Sequence, residues 1–169
     1  MHTLLLVLRL LHVFGAIVWG GTTILFFFIL GPAIAATGDA GRKFAQHLVL
    51  KARLTTVISA AAGLTVLAGV GLYWIDSVGL TSPWMTSGAG IGFALGGLAG
   101  LVAFIFGIMF GRNNEAIAKI GASLQGPPTP EQMANLQAIQ RRQKTVGLIM
   151  TIAIIIAIVC MATARYWMI

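Results

Sequence analysis

Arg9 and His12 lie within the first apolar stretch of the chain, three residues apart, a spacing that puts both on one face of a helix. Trp19 follows two turns beyond His12 on the same side. An ionisable group in such a stretch is costly to place in lipid, so function is the default reading of each. Arg9 also has a plain alternative, since its long side chain can run out to the headgroups. His12 sits roughly 13 Å inside the segment by helical rise and has no such exit. Near the other end of the chain Met161 falls at a matching depth, with Cys160 beside it and Arg165 one turn further on. His and Met together can be axial ligands of haem iron, and His, Met and Cys suit copper(I). Gap-filling is the commoner role of a methionine in an apolar helix. Arg9 and Arg165 would set two guanidinium groups at one rim, able to grip haem carboxylates or lipid phosphates, or simply to anchor the helix ends. Asp76, on the same side, is a potential partner for either arginine.

Other chemistries find no support. His47 lies most of a membrane thickness away from His12 and reads as a surface residue, with Lys51 and Arg53 beside it facing anionic headgroups. There is no nucleophile–base triad, no metalloprotease His-Glu motif, no phosphate-cradling loop and no paired carboxylates. Four acids in the whole chain argue against proton pumping. The net charge of +7 is spread around apolar segments rather than gathered on an aromatic-bearing surface, which argues against nucleic acid as a partner. A single cysteine excludes an internal disulfide framework and any Cys-rich metal site.

The elements that must position these residues are membrane helices. Hydrophobic residues make up 58% of the chain and charged ones 9%, with a mean hydropathy of +0.93, against about a quarter charged in a soluble domain. The reading is all-α: a single transmembrane domain over 1–169, an integral membrane four-helix bundle with helices at about 3–36, 42–75, 88–111 and 130–168. Ala33-Ile34-Ala35 resembles a signal cleavage site, but the apolar run before it is too long for a signal and is expected to be a retained helix. Gly38-Asp39-Ala40-Gly41 makes a turn with Asp39 as a cap, and Gly79 with Pro83 marks a loop flanked by Tyr73, Trp74 and Trp84. Gly92, Gly96 and Gly100 line up as a packing face. Arg112 to Gly126 reads as a linker, loop or short surface helix, and Thr129-Pro130-Glu131-Gln132 as a capping box that starts a long helix 4.

Arg42, Lys43, Lys51, Arg53, Arg112, Lys119, Arg141, Arg142 and Lys144 fall on one side, against Arg9 and Arg165 on the other. The positive-inside rule then places both termini outside and the basic connections, with the extension of helix 4, in the cytoplasm.

The stretch Leu8-Arg9-Leu10-Leu11-His12-Val13 through Trp19-Gly20-Gly21 resembles the opening of membrane proteins related to copper-resistance protein D. Met161-Ala162-Thr163-Ala164-Arg165-Tyr166 resembles the close of the uncharacterised branch of that group, and the basic, Gln-rich lead-in to the last helix fits it. This implies a four-helix membrane bundle, with copper import as the associated role, although Met-rich motifs are absent here. The His12-to-Trp19 spacing is also similar to the first helix of the HemJ-type protoporphyrinogen oxidases, which implies haem b. That family's late proline–arginine pair and later membrane lysine are missing: Pro32 precedes Ala33, and no lysine lies within the third apolar segment.

The expectation is a multi-pass inner-membrane protein that binds haem b or a metal near its outer face for electron transfer. His12 is the ligand, Arg9, Trp19 and Arg165 line the cofactor, and Met161 joins His12 in the metal-ligand set. The alternatives are an accessory or assembly subunit of a larger membrane complex or a homo-oligomer, and copper transport. Whether the protein is an enzyme is left open.

Overall fold

The computed structural model describes residues 2–124 and 126–168, and the described residues are helical almost throughout. Four helical stretches are long and apolar enough to cross a membrane: His2–Ala36, Leu54–Asp76, Gly88–Ser123 and Pro130–Tyr166.

The first stretch runs as α1 (His2–Leu25), a π-helical turn (Phe26–Leu30) and α2 (Gly31–Ala36). The π turn has a local cause. Pro32 has no N–H to continue the regular ladder, and the Gly31 N–H donates instead to the Phe26 carbonyl five residues back. Gly31 permits this, since a Cβ there would sit 2.9 Å from that carbonyl oxygen. The chain then turns at Thr37–Gly38, with Gly38 at φ +57, into α3 (Gly38–Gln46) and a second π-helical segment (His47–Lys51).

The single helix expected over 42–75 is broken. Arg53 adopts a left-handed conformation, φ 52 and ψ 34, and α4 (Leu54–Asp76) starts beyond it. Asp39 does not cap α3; its carboxylate pairs with Arg42 within the first turn. The third helix also differs from its expected end at Gly111: α5 (Gly88–Ser123) carries straight through Arg112, Asn113, Asn114 and Glu115. α6 (Pro130–Thr163) begins on the anticipated capping box, with the Thr129 hydroxyl accepting from the Gln132 N–H and the Gln132 side chain accepting from the Thr129 N–H. A 3₁₀ turn (Ala164–Tyr166) ends it.

Sequence neighbours pack as two close pairs, α1 with α4 and α5 with α6, with α4 also lying along α5. Small residues set both. Gly88, Gly92 and Gly96 of α5 face Trp167, Ala164, and Cys160 with Met161. Gly100 does not belong to that face, having no neighbour within 4 Å of where a Cβ would be. One apolar cluster draws on all four helices, with Trp19, Ala62, Ala103, Ala153 and Ile154 at its centre and Phe104 set edge-on to Trp19. The buried Thr23, Thr65 and Thr151 donate their hydroxyls to the carbonyls of Trp19, Ala61 and Gly147, four residues back on their own helices.

Two ends can be told apart. The aromatic end gathers Tyr73, Trp84 and Phe93 around the α4–α5 loop, with Trp167 nearby against Gly88. The basic end holds α3 and the extensions of α5 and α6.

Candidate functional site

His12 projects from α1 onto α4. Its Nδ1 lies 2.8 Å from the carbonyl oxygen of Thr65. A carbonyl can only accept, so Nδ1 is the protonated nitrogen, and in the neutral ring Nε2 then carries the lone pair. The Thr65 hydroxyl is occupied with Ala61 and does not compete for the ring.

Glycines on both helices make room for this contact. A Cβ at Gly69 would lie 2.9 Å from His12 Cε1 and 3.0 Å from Nδ1, so the ring edge rests on bare backbone. One turn along α1, a Cβ at Gly15 would collide with the Thr65 hydroxyl and come within 3.0 Å of the Ala61 carbonyl. In the other direction Leu8 covers Gly71. The ring is half-buried, in a seam that Gly15, Thr65 and Gly69 define. The sequence reading did not find these three. Their signal is spacing alone: Gly15 lies one helical turn from His12, and Gly69 one turn from Thr65.

The remaining candidates do not converge on the ring. Trp19 shares a face of α1 with His12 but is committed to the central cluster, only 4% exposed. Met161 is turned to α5, its Cγ and Cε each 3.2 Å from the position of a Gly96 Cβ, and Cys160 lies on the same glycine. His12 and Met161 thus have their contacts on different helices, and the pairing inferred from depth does not draw them together. Arg9, Arg165 and Asp76 are exposed, and among the described residues the ion pair present is Arg42–Asp39 at the other end. No cluster of three or more His, Cys, Asp or Glu side chains suited to a metal ion occurs among the described residues. His47 is exposed at the basic end, as anticipated.

This arrangement would offer one nitrogen ligand, His12 Nε2. An imidazole with Nδ1–H tied to a backbone carbonyl is fixed in tautomer and orientation, the usual setting of a ligating histidine. Met161, the other ligand anticipated, has its contacts on Gly96 instead. Two shallow hollows lie elsewhere, one lined by Leu30, Ala33, Ile34 and Phe44 and the other by Gln137, Gln140, Arg141 and Lys144.

A second polar contact, absent from the sequence reading, joins α5 to α6 at the basic end. The Gln143 side-chain NH₂ donates to Asn114 Oδ1 at 2.7 Å and to the Phe110 carbonyl at 3.3 Å. The Gln143 carbonyl oxygen and the Asn113 NH₂ are buried beside it without partners. No protein-family model matches the chain, and no curated protein or solved structure matches it either.

Proposed function

We propose that the chain is a multi-pass inner-membrane protein, a four-helix bundle with its basic end in the cytoplasm, that offers His12 Nε2 to haem b or a metal ion near the outer face. The orientation rests on the nine basic residues at one end against Arg9 and Arg165 at the other. The observation that carries the ligand assignment is the hydrogen bond from His12 Nδ1 to Thr65, which fixes the tautomer and leaves Nε2 free to donate its lone pair. Arg9 and Arg165, exposed at the same end, would hold the carboxylates of a haem. When bound, such a group supplies one-electron chemistry, and the protein's part is to fix the imidazole and keep its surroundings apolar. Met161 is engaged with Gly96, so a further ligand would have to be supplied by another group.

A second reading, an accessory subunit of a larger membrane complex with no cofactor of its own, draws on α6. Its first half, 130–142, is exposed at nearly every position, a surface long enough for another protein to pack along.

Absorption spectra of the detergent-purified protein, oxidised and dithionite-reduced, with metal analysis of the same sample, separate the readings. A Soret band that His12→Ala removes while the protein stays folded supports the ligand assignment. Colourless, metal-free protein from haem-replete cells, with stable co-purifying subunits, supports the accessory reading. Bound copper without colour supports copper handling, the role associated with the family that the chain's two ends resemble.

A further inference from the structure

Three of the four helical columns reach their first cation at one level. Gly111 of α5 lies against Thr55 of α4, so Arg112 and Arg53 flank the same height. Gly147 of α6 faces Phe110 and Phe27, and Lys144 is three residues nearer the basic end. Beyond this level α5 and α6 turn polar, with Asn113, Asn114, Glu115 and Lys119 on one and Arg142, Arg141, Gln140 and Gln137 on the other.

The first column does not follow. From Phe27 it continues through Phe28-Ile29-Leu30-Gly31-Pro32-Ala33-Ile34-Ala35-Ala36 without a polar side chain, rising about 13 Å beyond Phe27 and so about 9 Å past the level of Lys144. Phe28 and Ile29, just short of that level, are 58% and 59% exposed. The chain then turns into α3, where Gly41 is seated on the Ile34 carbonyl and the Thr37 hydroxyl, with no space for a Cβ. Phe44, 49% exposed, closes a shallow apolar hollow with Leu30, Ala33 and Ile34. α3 leads across to α5, where Gln46 packs on Gly121. Exposed Arg42 and Lys43 adjoin Phe44 in α3, exposed Lys51 and Arg53 follow where the chain leads into α4, and the one acid of the segment, Asp39, is paired with Arg42.

An apolar knuckle set among cations is unsuited to water and suited to the boundary of acyl chains with negatively charged headgroups. We propose that the α2–α3 elbow is a lipid-docking device: Phe28, Ile29 and Phe44 enter the leaflet at the basic end, and Arg42, Lys43, Lys51 and Arg53 gather anionic lipid around it. The inference needs the four helices to cross a bilayer and is independent of any cofactor at His12.

The test uses the full-length chain with Cys160→Ser, carrying an environment-sensitive fluorophore on a cysteine placed at Phe28 or Phe44. It is reconstituted in phosphatidylcholine vesicles with and without phosphatidylglycerol. Both labels are expected to emit as in an apolar medium and to be quenched by lipids bearing a shallow nitroxide. A label at Met133, on the exposed half of α6, is expected to be unquenched and reports that the fold is intact. Association of nitroxide-bearing phosphatidylglycerol with the label at position 44 should weaken about fivefold for each cation neutralised in Arg42→Gln and Lys43→Gln. Water-like emission with no quenching at 28 and 44 overturns the proposal. Equal quenching by anionic and zwitterionic lipid overturns its electrostatic half. A co-purifying protein that shields both labels before reconstitution shows the elbow to be a protein interface and also overturns it.

Discussion

Adding one methyl group at Gly69 tests the His12 seam directly. A Cβ there would lie 2.9 Å from His12 Cε1 and 3.0 Å from Nδ1, inside ordinary contact distance, so in Gly69→Ala the ring must move off the Thr65 carbonyl. Two costs follow. The interhelical hydrogen bond is worth roughly 0.6 kcal/mol on average in membrane proteins and up to about 1.7. Crowding a closely packed contact adds about 1 kcal/mol, reduced to the extent that the ring can swing. Against these stands the helix preference for Ala over Gly, up to about 1 kcal/mol. Gly63, in the same helix, has no neighbour within 4 Å, so Gly63→Ala gains the same preference at no cost in contacts. The difference between the two variants cancels the propensity term. Gly69→Ala should be less stable than Gly63→Ala by about 1–2 kcal/mol. The assay is reversible unfolding in mixed micelles with increasing SDS. Repeating it with His12→Ala in the background should abolish the difference, since the obstructing ring is gone. Equal stability of Gly69→Ala and Gly63→Ala, or a difference that survives removal of His12, would refute the argument that the ring is held on α4 by contact with bare backbone.

Gly92→Ala should destabilise the α5–α6 pair by about 1–3 kcal/mol in the same assay, because its Cβ would meet the Ala164 Cα and Cβ at 2.9 and 2.8 Å, atoms that cannot swing aside. Gly100→Ala, facing open space, should be neutral or slightly stabilising. Gln143→Leu should cost about 1 kcal/mol by leaving Asn114 without its donor, with Asn114→Leu in the same background adding little further loss; full additivity would show that the two amides are not coupled. The Arg42 hydrogen bond and charge hold the Asp39 carboxyl below its ordinary pKa, so Arg42→Gln should raise it, as read by carboxyl NMR titration. A depressed carboxylate adds stability above its unfolded pKa of about 3.9 and loses it as pH falls through the lower folded value, so the pair's contribution should be constant across the neutral range and be lost only in acid.

Much of the helical layout could be read in advance because its signals are local or cumulative. A run such as Thr3 to Ala36 has one structural solution in lipid, and Thr129 with Gln132 closes its capping box within four residues. Features set by distant neighbours were hidden. Arginine carries no signal for a left-handed backbone, so the break at Arg53 gave no warning. The Arg112–Glu115 stretch has a linker's polarity yet stays helical to Ser123, packed beside α6 and the π-helical segment of the second column. Gly100 continues the four-residue spacing of Gly92 and Gly96 but falls off their face, since a helix repeats every 3.6 residues rather than every four. At the candidate site His12 stood out by type alone, whereas Thr65 and Gly69 act only through the way α4 lies on α1. Matching Met161 to His12 by depth carried no information about azimuth, and Met161 is turned to Gly96.

The pairing of helices also has a meaning in time. The seam at Gly15 and Gly69 joins α1 to α4, and the glycine face of α5 joins α6, so each close pair is made by consecutive membrane crossings. A nascent chain can therefore complete its first hairpin once α4 has been synthesised and its second once α6 has followed. The contacts of Gly20 with Ile154 and Ile158, and of Phe27 with Gly147, must wait for the last crossing to arrive. Trp19, clustered with Ala103 and Phe104 of α5 and Ala153 and Ile154 of α6, would spend that interval facing lipid, and its fluorescence would report when synthesis hands over to assembly.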